Sequence, residues 1–101
     1  MFNTDYLSYQ LSATRALVKF IRDHKSGVEI NLSKCLEALE KGDVQSAVGY
    51  AQKIKLAGMG SMTDWFPPVV FPHEDSEYVC SELQALVYNW ARLMALSFES
   101  D

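Results

Sequence analysis

The two histidines are the first candidates for catalytic or metal chemistry, because each lies beside carboxylates. His24 follows Asp23, and His73 precedes Glu74 and Asp75. A zinc site needs several His, Cys or carboxylate ligands at helical or loop spacing, and the sequence shows no such pattern. His73 is therefore interpreted as a loop residue ahead of a helix, and no metal ligand is predicted.

A group of four carboxylates surrounds the predicted start of the last helix: Glu74, Asp75, Glu77 and Glu82. Carboxylates can bind a divalent cation, but acidic residues are also favoured at the positive end of a helix dipole. We interpret them as a helix start. The sequence contains no recognisable nucleotide-binding glycine loop, nucleophile elbow or catalytic carboxylate pair. It therefore predicts no catalytic residue, no cofactor and no enzyme.

Composition limits the class of protein and the kind of partner. The chain has 101 residues, of which 49% are hydrophobic and 22% charged. These values predict one globular domain, residues 1–101, with its own core. Residues 1–55 carry eight Lys/Arg and six Asp/Glu, a charge of +2, whereas residues 56–101 carry one Arg and seven Asp/Glu, a charge of −6. The acidic second part argues against nucleic acid and for a basic partner.

The cysteines and the apolar segments indicate a cellular compartment. Cys35 and Cys80 lie in predicted helices without metal-binding or redox spacing, so we expect buried free thiols. No apolar run approaches the roughly 20 residues of a membrane span. The first residues lack the basic and apolar regions of a signal peptide. We therefore expect a cytoplasmic protein that does not bind a membrane.

Apolar residues at helical spacing predict an all-α fold, a compact four-helix bundle-like domain. Ser26 and Glu29 fit a capping box for the second helix, with an alternative start near Asn31. Gly42 fits the end of that helix, and Asp43 fits the N-cap of the third. The predicted helices span about 4–24, 26–41, 43–58 and 76–98, and Asp75 or Ser76 would cap the last.

The stretch from Gly58 to Pro72 contains two glycines and all three prolines of the chain. Gly58 would end the third helix, and Gly60 would allow a second bend. Ser61 with Asp64 would then cap a short extra helical turn before an apolar, Pro-rich loop. An anion-binding nest after Gly60 is the alternative, although the charge of Asp64 opposes it.

Apolar side chains are unusually dense in this connection: Met59, Met62, Trp65, Phe66, Val69, Val70 and Phe71. If they point inward, they close one end of the bundle. If some stay exposed, they form a partner surface of the kind that is rich in aromatic residues and Met. The sequence leaves both possibilities open.

Residues 58–65, Gly-Met-Gly-Ser-Met-Thr-Asp-Trp, resemble a motif in a family of small uncharacterised bacterial helical proteins. Members have a helical hairpin followed by Gly-Met-Gly-Ser, an aromatic or aliphatic residue, Asn-Asp and an apolar residue. The resemblance covers about residues 29–98, and this chain carries Met62-Thr63 where aromatic-Asn is usual. The family has no established activity. Its size and acidity are similar to those of immunity proteins that neutralise a toxin, which is an analogy.

These observations lead to three hypotheses about function. The first is a non-catalytic bacterial protein-binding module, possibly an immunity-like inhibitor. Trp65 and Phe66 would anchor a basic toxin, and the acidic residues Glu74, Asp75, Glu77 and Glu82 would face it. The second is a homo-oligomeric structural or regulatory protein, for which a homodimer is the simplest form. The third is a small-molecule sensor with a pocket near Trp65, Tyr88 and Trp90.

Overall fold

The computed structural model describes residues 4–54 and 65–98, and these residues form four helices. The helices are α1 (Leu7–Asp23), α2 (Ile30–Glu40), α3 (Val44–Gln52) and α4 (Ser76–Phe98). The described ranges contain no strand. The predicted all-α class and the number of long helices are therefore confirmed. The predicted extra turn at residues 61–64 and the motif residues Gly58, Gly60, Ser61 and Asp64 lie outside the described residues.

Each helix packs against two others, and together they enclose one core. α1 contacts α2 and α4, and α3 contacts the same two helices. The apolar stripe of α4 recurs every three or four residues, which places one face of this helix inward. The largest of the fully buried apolar side chains come from α1, α2 and α4: Leu17, Leu32, Leu39, Val79, Leu83, Val87 and Trp90.

A buried polar contact joins the beginning of α1 to the end of α4. Gln10 is fully buried, and its Nε2 donates to the Leu93 carbonyl at 2.9 Å and to Ser97 Oγ at 2.6 Å. Thr14 Oγ1 donates to the Gln10 carbonyl at 2.6 Å. Among the described residues, Gln10 Oε1 has no hydrogen-bond partner. The contact therefore satisfies the donors of this amide but leaves its acceptor unpaired.

The start of α2 differs from the main prediction. The helix begins at Ile30, and the Glu29 carboxylate caps it by accepting the Leu32 amide at 3.1 Å. The Ser26 capping box is wrong, and the alternative start near Asn31 is correct to one residue. The reason lies in the preceding turn, where the Ser26 amide donates to the Ile21 carbonyl and so still belongs to the end of α1.

Two helices end in the same hydrogen-bonded motif with different residues at its left-handed position. After α2, the Gly42 amide donates to Leu39 and the Asp43 amide to Ala38, and Gly42 has a φ of 77°. After α1, Lys25 occupies the equivalent position with a φ of 66°. Glycine is the residue that adopts this conformation without steric cost. The predicted break at residue 42 is confirmed, whereas the break after α1 uses a lysine.

The remaining helix boundaries are those of α3 and α4. The side chain of Asp43 caps α3 by accepting the Ser46 amide at 3.1 Å, as predicted. α3 ends at Gln52, earlier than the predicted Gly58. α4 has the predicted bounds, and Asp75 caps it by accepting the Tyr78 amide at 2.8 Å.

Candidate functional site

The segment that leads into α4, residues 65–75, is the part of the described structure with the most varied chemistry. We call it the connecting segment. Trp65 is half-buried, with its ring 6.5 Å from that of Phe20 in an edge-on arrangement, and Pro67 is buried. Phe66 is 80% exposed and Val69 is 51% exposed. The segment thus anchors Trp65 and Pro67 on the bundle and presents other side chains, including Phe66 and Val69, to solvent.

A buried contact between His24 and Glu74 fastens the far end of this segment. The two side chains are only 3% and 2% exposed, and His24 Nε2 lies 2.7 Å from Glu74 Oε2. On the other side of the ring, His24 Nδ1 lies 2.7 Å from the Phe20 carbonyl oxygen. Both ring nitrogens therefore face oxygen atoms at hydrogen-bond distance, at the point where α1 ends.

This geometry specifies the protonation state of His24. A carbonyl oxygen only accepts hydrogen bonds, and an ionised carboxylate does too, so both ring nitrogens must donate. That arrangement requires the imidazolium. Burial alone would lower the pKa of His24, but the hydrogen bonds to Glu74 and the Phe20 carbonyl, and the negative charges of Glu74 and Glu82, raise it above its ordinary value of 6.5.

The Glu74 carboxylate also organises the backbone before it. Its Oε1 accepts the amide of Val70 at 3.1 Å and that of Phe71 at 3.0 Å, while the Glu74 amide donates to the Phe71 carbonyl. Burial alone would raise the pKa of Glu74, but the bonds from the Phe71 amide, His24 and the Val70 amide lower it to about 2. Glu74 is therefore ionised at neutral pH and holds a tight turn.

Aromatic rings line the surroundings of this pair in an unbroken series. Phe20 stacks on the His24 ring at 4.0 Å, and Phe71 meets the same ring edge-on at 5.7 Å. His73 stacks on Phe71 at 6.0 Å and contacts Tyr78 edge-on at 5.6 Å. The rings shield one side of the ion pair and give the turn a rigid outer face.

An open cleft of about 330 Å³ lies beside the pair; we call it the His24 cleft. Polar residues from the end of α1, the connecting segment and α4 line it: Lys19, Asp23, His24, His73, Glu74, Tyr78 and Glu82. Lys19 and Asp23 form an ion pair with each other. The interaction of the Tyr78 hydroxyl with the Glu82 carboxylate raises the pKa of Tyr78. The cleft thus holds charges that are largely paired.

The six residues predicted to contact a partner occupy different environments. Phe66, Asp75 and Glu77 are exposed, Trp65 and Glu82 are half-buried, and the Glu74 side chain faces inward. The carboxylate of Glu74 points at His24 because two backbone amides and an imidazolium surround it. The exposed negative charge at the end of the segment therefore comes from Asp75, its last residue, and from Glu77 in α4, and Asp75 also caps α4.

The structure separates the residues of the predicted small-molecule pocket. Trp90 is buried in the core, whereas Tyr88, two residues away on the same helix, is 55% exposed. Trp90 lines a groove of about 240 Å³ between α3 and α4, together with residues such as Val48 and Met94. Trp65 does not line that groove. The groove between α3 and α4 and the connecting segment are thus distinct features.

The burial of His24 and its pairing with Glu74 are the features of the candidate site that the sequence analysis did not predict. The sequence draws attention to His24 only through its neighbour Asp23. Yet Leu17, Phe20, Ile21 and His24 follow one another at spacings of three, one and three, so His24 continues the apolar stripe of the helix. A histidine in line with a core stripe indicates burial, and a carboxylate elsewhere is then the expected partner.

The two cysteines are free thiols, as expected, although only Cys35 is buried. Burial raises the pKa of Cys35 to about 12, against a smaller opposite effect from Trp90. Within residues 4–54 and 65–98, no group of three His, Cys, Asp or Glu side chains is placed to hold a metal ion. None of the helices in these ranges is both long and apolar enough to cross a bilayer.

No family model, curated protein or solved structure matches this chain. The motif resemblance at residues 58–65 therefore stays a prediction.

Proposed function

We propose that the protein is a non-catalytic protein-binding module whose contact surface is the connecting segment. The observation that carries this proposal is the exposure of Phe66 and Val69 on a segment anchored at both ends. Exposed apolar side chains that lie together, with polar groups around them, are typical of protein interaction sites. Trp65 at one end and Glu74 at the other limit the freedom of the segment, which lowers the entropy cost of binding.

The charges next to the segment favour a basic partner. Asp75 and Glu77 are exposed directly after the apolar side chains, and residues 56–101 carry a charge of −6. Charges at the rim of an interface mainly increase the association rate and discourage partners of the same sign. A basic toxin, as bound by an immunity-like inhibitor, has this chemistry. Bacterial origin and a toxin partner belong to the proposal.

The experiment compares two variants in affinity capture from the native host. Phe66→Ser together with Val69→Ser removes the apolar contact and leaves Trp65 and Glu74 in place. Tyr88→Ser is the matched control, since it removes an exposed aromatic side chain from the middle of α4. We expect a partner that the wild type and Tyr88→Ser capture and that the double variant loses. Equal capture by all three proteins would contradict the proposal.

Glu77→Gln tests the electrostatic part with a purified partner. We expect a lower association rate at low salt and an unchanged dissociation rate, because Glu77 is exposed. An association rate that does not depend on salt would argue against a basic partner surface.

Self-association is the second candidate, because the same exposed side chains can pair with those of another copy. Light scattering separates the two functions. A dimer that Phe66→Ser and Val69→Ser convert to a monomer would favour a homo-oligomeric protein, and a wild-type monomer would oppose it.

A further inference from the structure

We propose that the buried contact between His24 and Glu74 is a pH-sensitive latch that holds the connecting segment against the end of α1. The proposal concerns the isolated protein. If the segment is also the contact surface proposed above, the latch would regulate partner binding, and that one consequence depends on the proposed function.

The contact between His24 and Glu74 has only one state in which both ring nitrogens are hydrogen-bonded. His24 donates from Nδ1 to the Phe20 carbonyl, so its Nε2 must also carry a proton in order to bond Glu74. When the ring loses a proton, one of its nitrogens presents a lone pair to an oxygen at 2.7 Å, either Nε2 to Glu74 or Nδ1 to the Phe20 carbonyl, and in both cases the positive charge opposite Glu74 disappears. A buried carboxylate without its counter-charge is costly even though Oε1 keeps the amides of Val70 and Phe71, so the contact is weakened.

The latch also controls the backbone structure at Val70 and Phe71. Glu74 is the shared acceptor for His24 and for the amides of Val70 and Phe71. The turn that positions Phe71 therefore depends on where this carboxylate lies. Movement of Glu74 toward solvent would release both amides together.

Other charged groups also lie around the ring. From α4, Glu82 adds negative charge and favours the protonated ring. From α1, Lys19 and Asp23 offset each other as an ion pair. His73 and Tyr78 also line the cleft, whereas α2 and α3 contribute none of its lining residues. The surroundings thus favour the protonated ring and with it the closed latch.

The pKa shifts of His24 and Glu74 determine how the stability of the latch depends on pH. The pKa of His24 is raised, so its contribution to stability is complete below 6.5 and is lost as the pH rises through the folded value. The pKa of Glu74 is lowered to about 2, so its contribution is complete above 4.5 and is lost as the pH falls toward 2. The latch is therefore strongest between about pH 4.5 and 6.5 and opens on the alkaline side.

The test uses NMR on the wild-type protein. Imidazole ¹⁵N shifts of His24 should show both nitrogens protonated at pH 6, with a midpoint above 6.5. Hydrogen exchange, corrected for its intrinsic pH dependence, should show protection of the Val70 and Phe71 amides falling by about tenfold per pH unit beyond that midpoint. The Tyr78 amide is the internal control, because it is bonded to Asp75. A midpoint at or below 6.5, or protection that does not change with pH, would overturn the proposal.

Glu74→Gln provides a second test, because protection of the two amides should change with pH in the opposite direction. The Gln oxygen can still accept the two amides, and its NH₂ donates best to a neutral ring. We expect the midpoint of His24 to fall below the wild-type value, and protection of the Val70 and Phe71 amides to rise with pH. Glu77→Gln, an exposed change of the same kind, should behave as the wild type. A rise of protection toward low pH in Glu74→Gln would contradict the latch. Because no partner enters these measurements, they can fail while the proposed function stands.

Discussion

The two ends of α1 are both joined to the α4 side of the molecule by buried polar side chains, and the two joints differ in charge. At the first end, the neutral amide of Gln10 bonds Leu93 and Ser97. At the second end, His24 and Glu74 form an ionic contact whose donors and acceptors match. The neutral joint carries one unpaired acceptor, which costs free energy but does not depend on pH. The ionic joint is better bonded but is sensitive to proton concentration.

Because the two contacts differ in charge, they should differ in how well they tolerate substitution. Replacing a neutral side chain by an apolar one of similar size removes hydrogen bonds but leaves no buried charge behind, so the expected loss of stability is smaller. Removing one member of a buried ion pair leaves the other without a counter-charge. In α1, substitution of Gln10 at the first end should therefore cost less stability than substitution of His24 at the second end.

The largest expected effect comes from His24→Ala, which breaks the ionic joint. Buried pairs broken in this way lose about 3–5 kcal/mol, and we expect about 2 kcal/mol here because the His24 cleft is open to water. Denaturant unfolding at pH 6 measures the free energy of unfolding. His73→Ala, in the same cleft but exposed, is the control and should change it little. A loss in His24→Ala no larger than that of the control would show that the pair contributes nothing.

A smaller effect is expected for Gln10→Leu, which makes the neutral joint apolar. The substitution removes two hydrogen bonds and also the unpaired Oε1, so the free energy of unfolding should fall by about 1 kcal/mol or less. Thermal unfolding at pH 6 and pH 8.5 checks this value. The wild type should lose stability between the two pH values, and Gln10→Leu should lose the same amount. If the stability of Gln10→Leu did not depend on pH, the titrating contact would lie at the Gln10 end of α1, which would contradict the assignment to His24 and Glu74.

The smallest effect concerns the turns next to the joints. Lys25→Gly should stabilise the protein by about 0.5 kcal/mol, because glycine relieves the left-handed strain but loses more entropy on folding. The reciprocal change, Gly42→Lys, should destabilise it by about 1 kcal/mol. Calorimetry measures both shifts. Destabilisation by Lys25→Gly would mean that the lysine side chain makes a stabilising contact of its own.

The sequence predicted the helices better than it predicted the site. Helix periodicity, the Gly42 break and the caps at Asp43 and Asp75 are local features, and the structure confirms them. The capping box at Ser26 was wrong because the turn closed by Lys25 extends α1 bonding into that residue.

The pairing of His24 with Glu74 could not be predicted from local patterns. The two residues are 50 positions apart, and each has an ordinary local role available, at a basic helix end or an acidic helix start. Only the packing of α1 along α4 brings them together. The same packing decides which side chains of residues 65–71 point inward and which point to solvent.

The hydrogen bond between Gln10 and Ser97 has a consequence for how the chain folds. It joins residues 87 positions apart, whereas the α2–α3 hairpin closes over neighbouring residues. Closing a long loop costs more chain entropy than closing a short one, so we expect the hairpin to form early and the α1–α4 seam late. Ala47→Gly in the hairpin should then slow folding, and Gln10→Leu should mainly speed unfolding. Stopped-flow kinetics would contradict this order if Gln10→Leu slowed folding instead. Under this order, the rate of unfolding is set at the seam between the first and last helices.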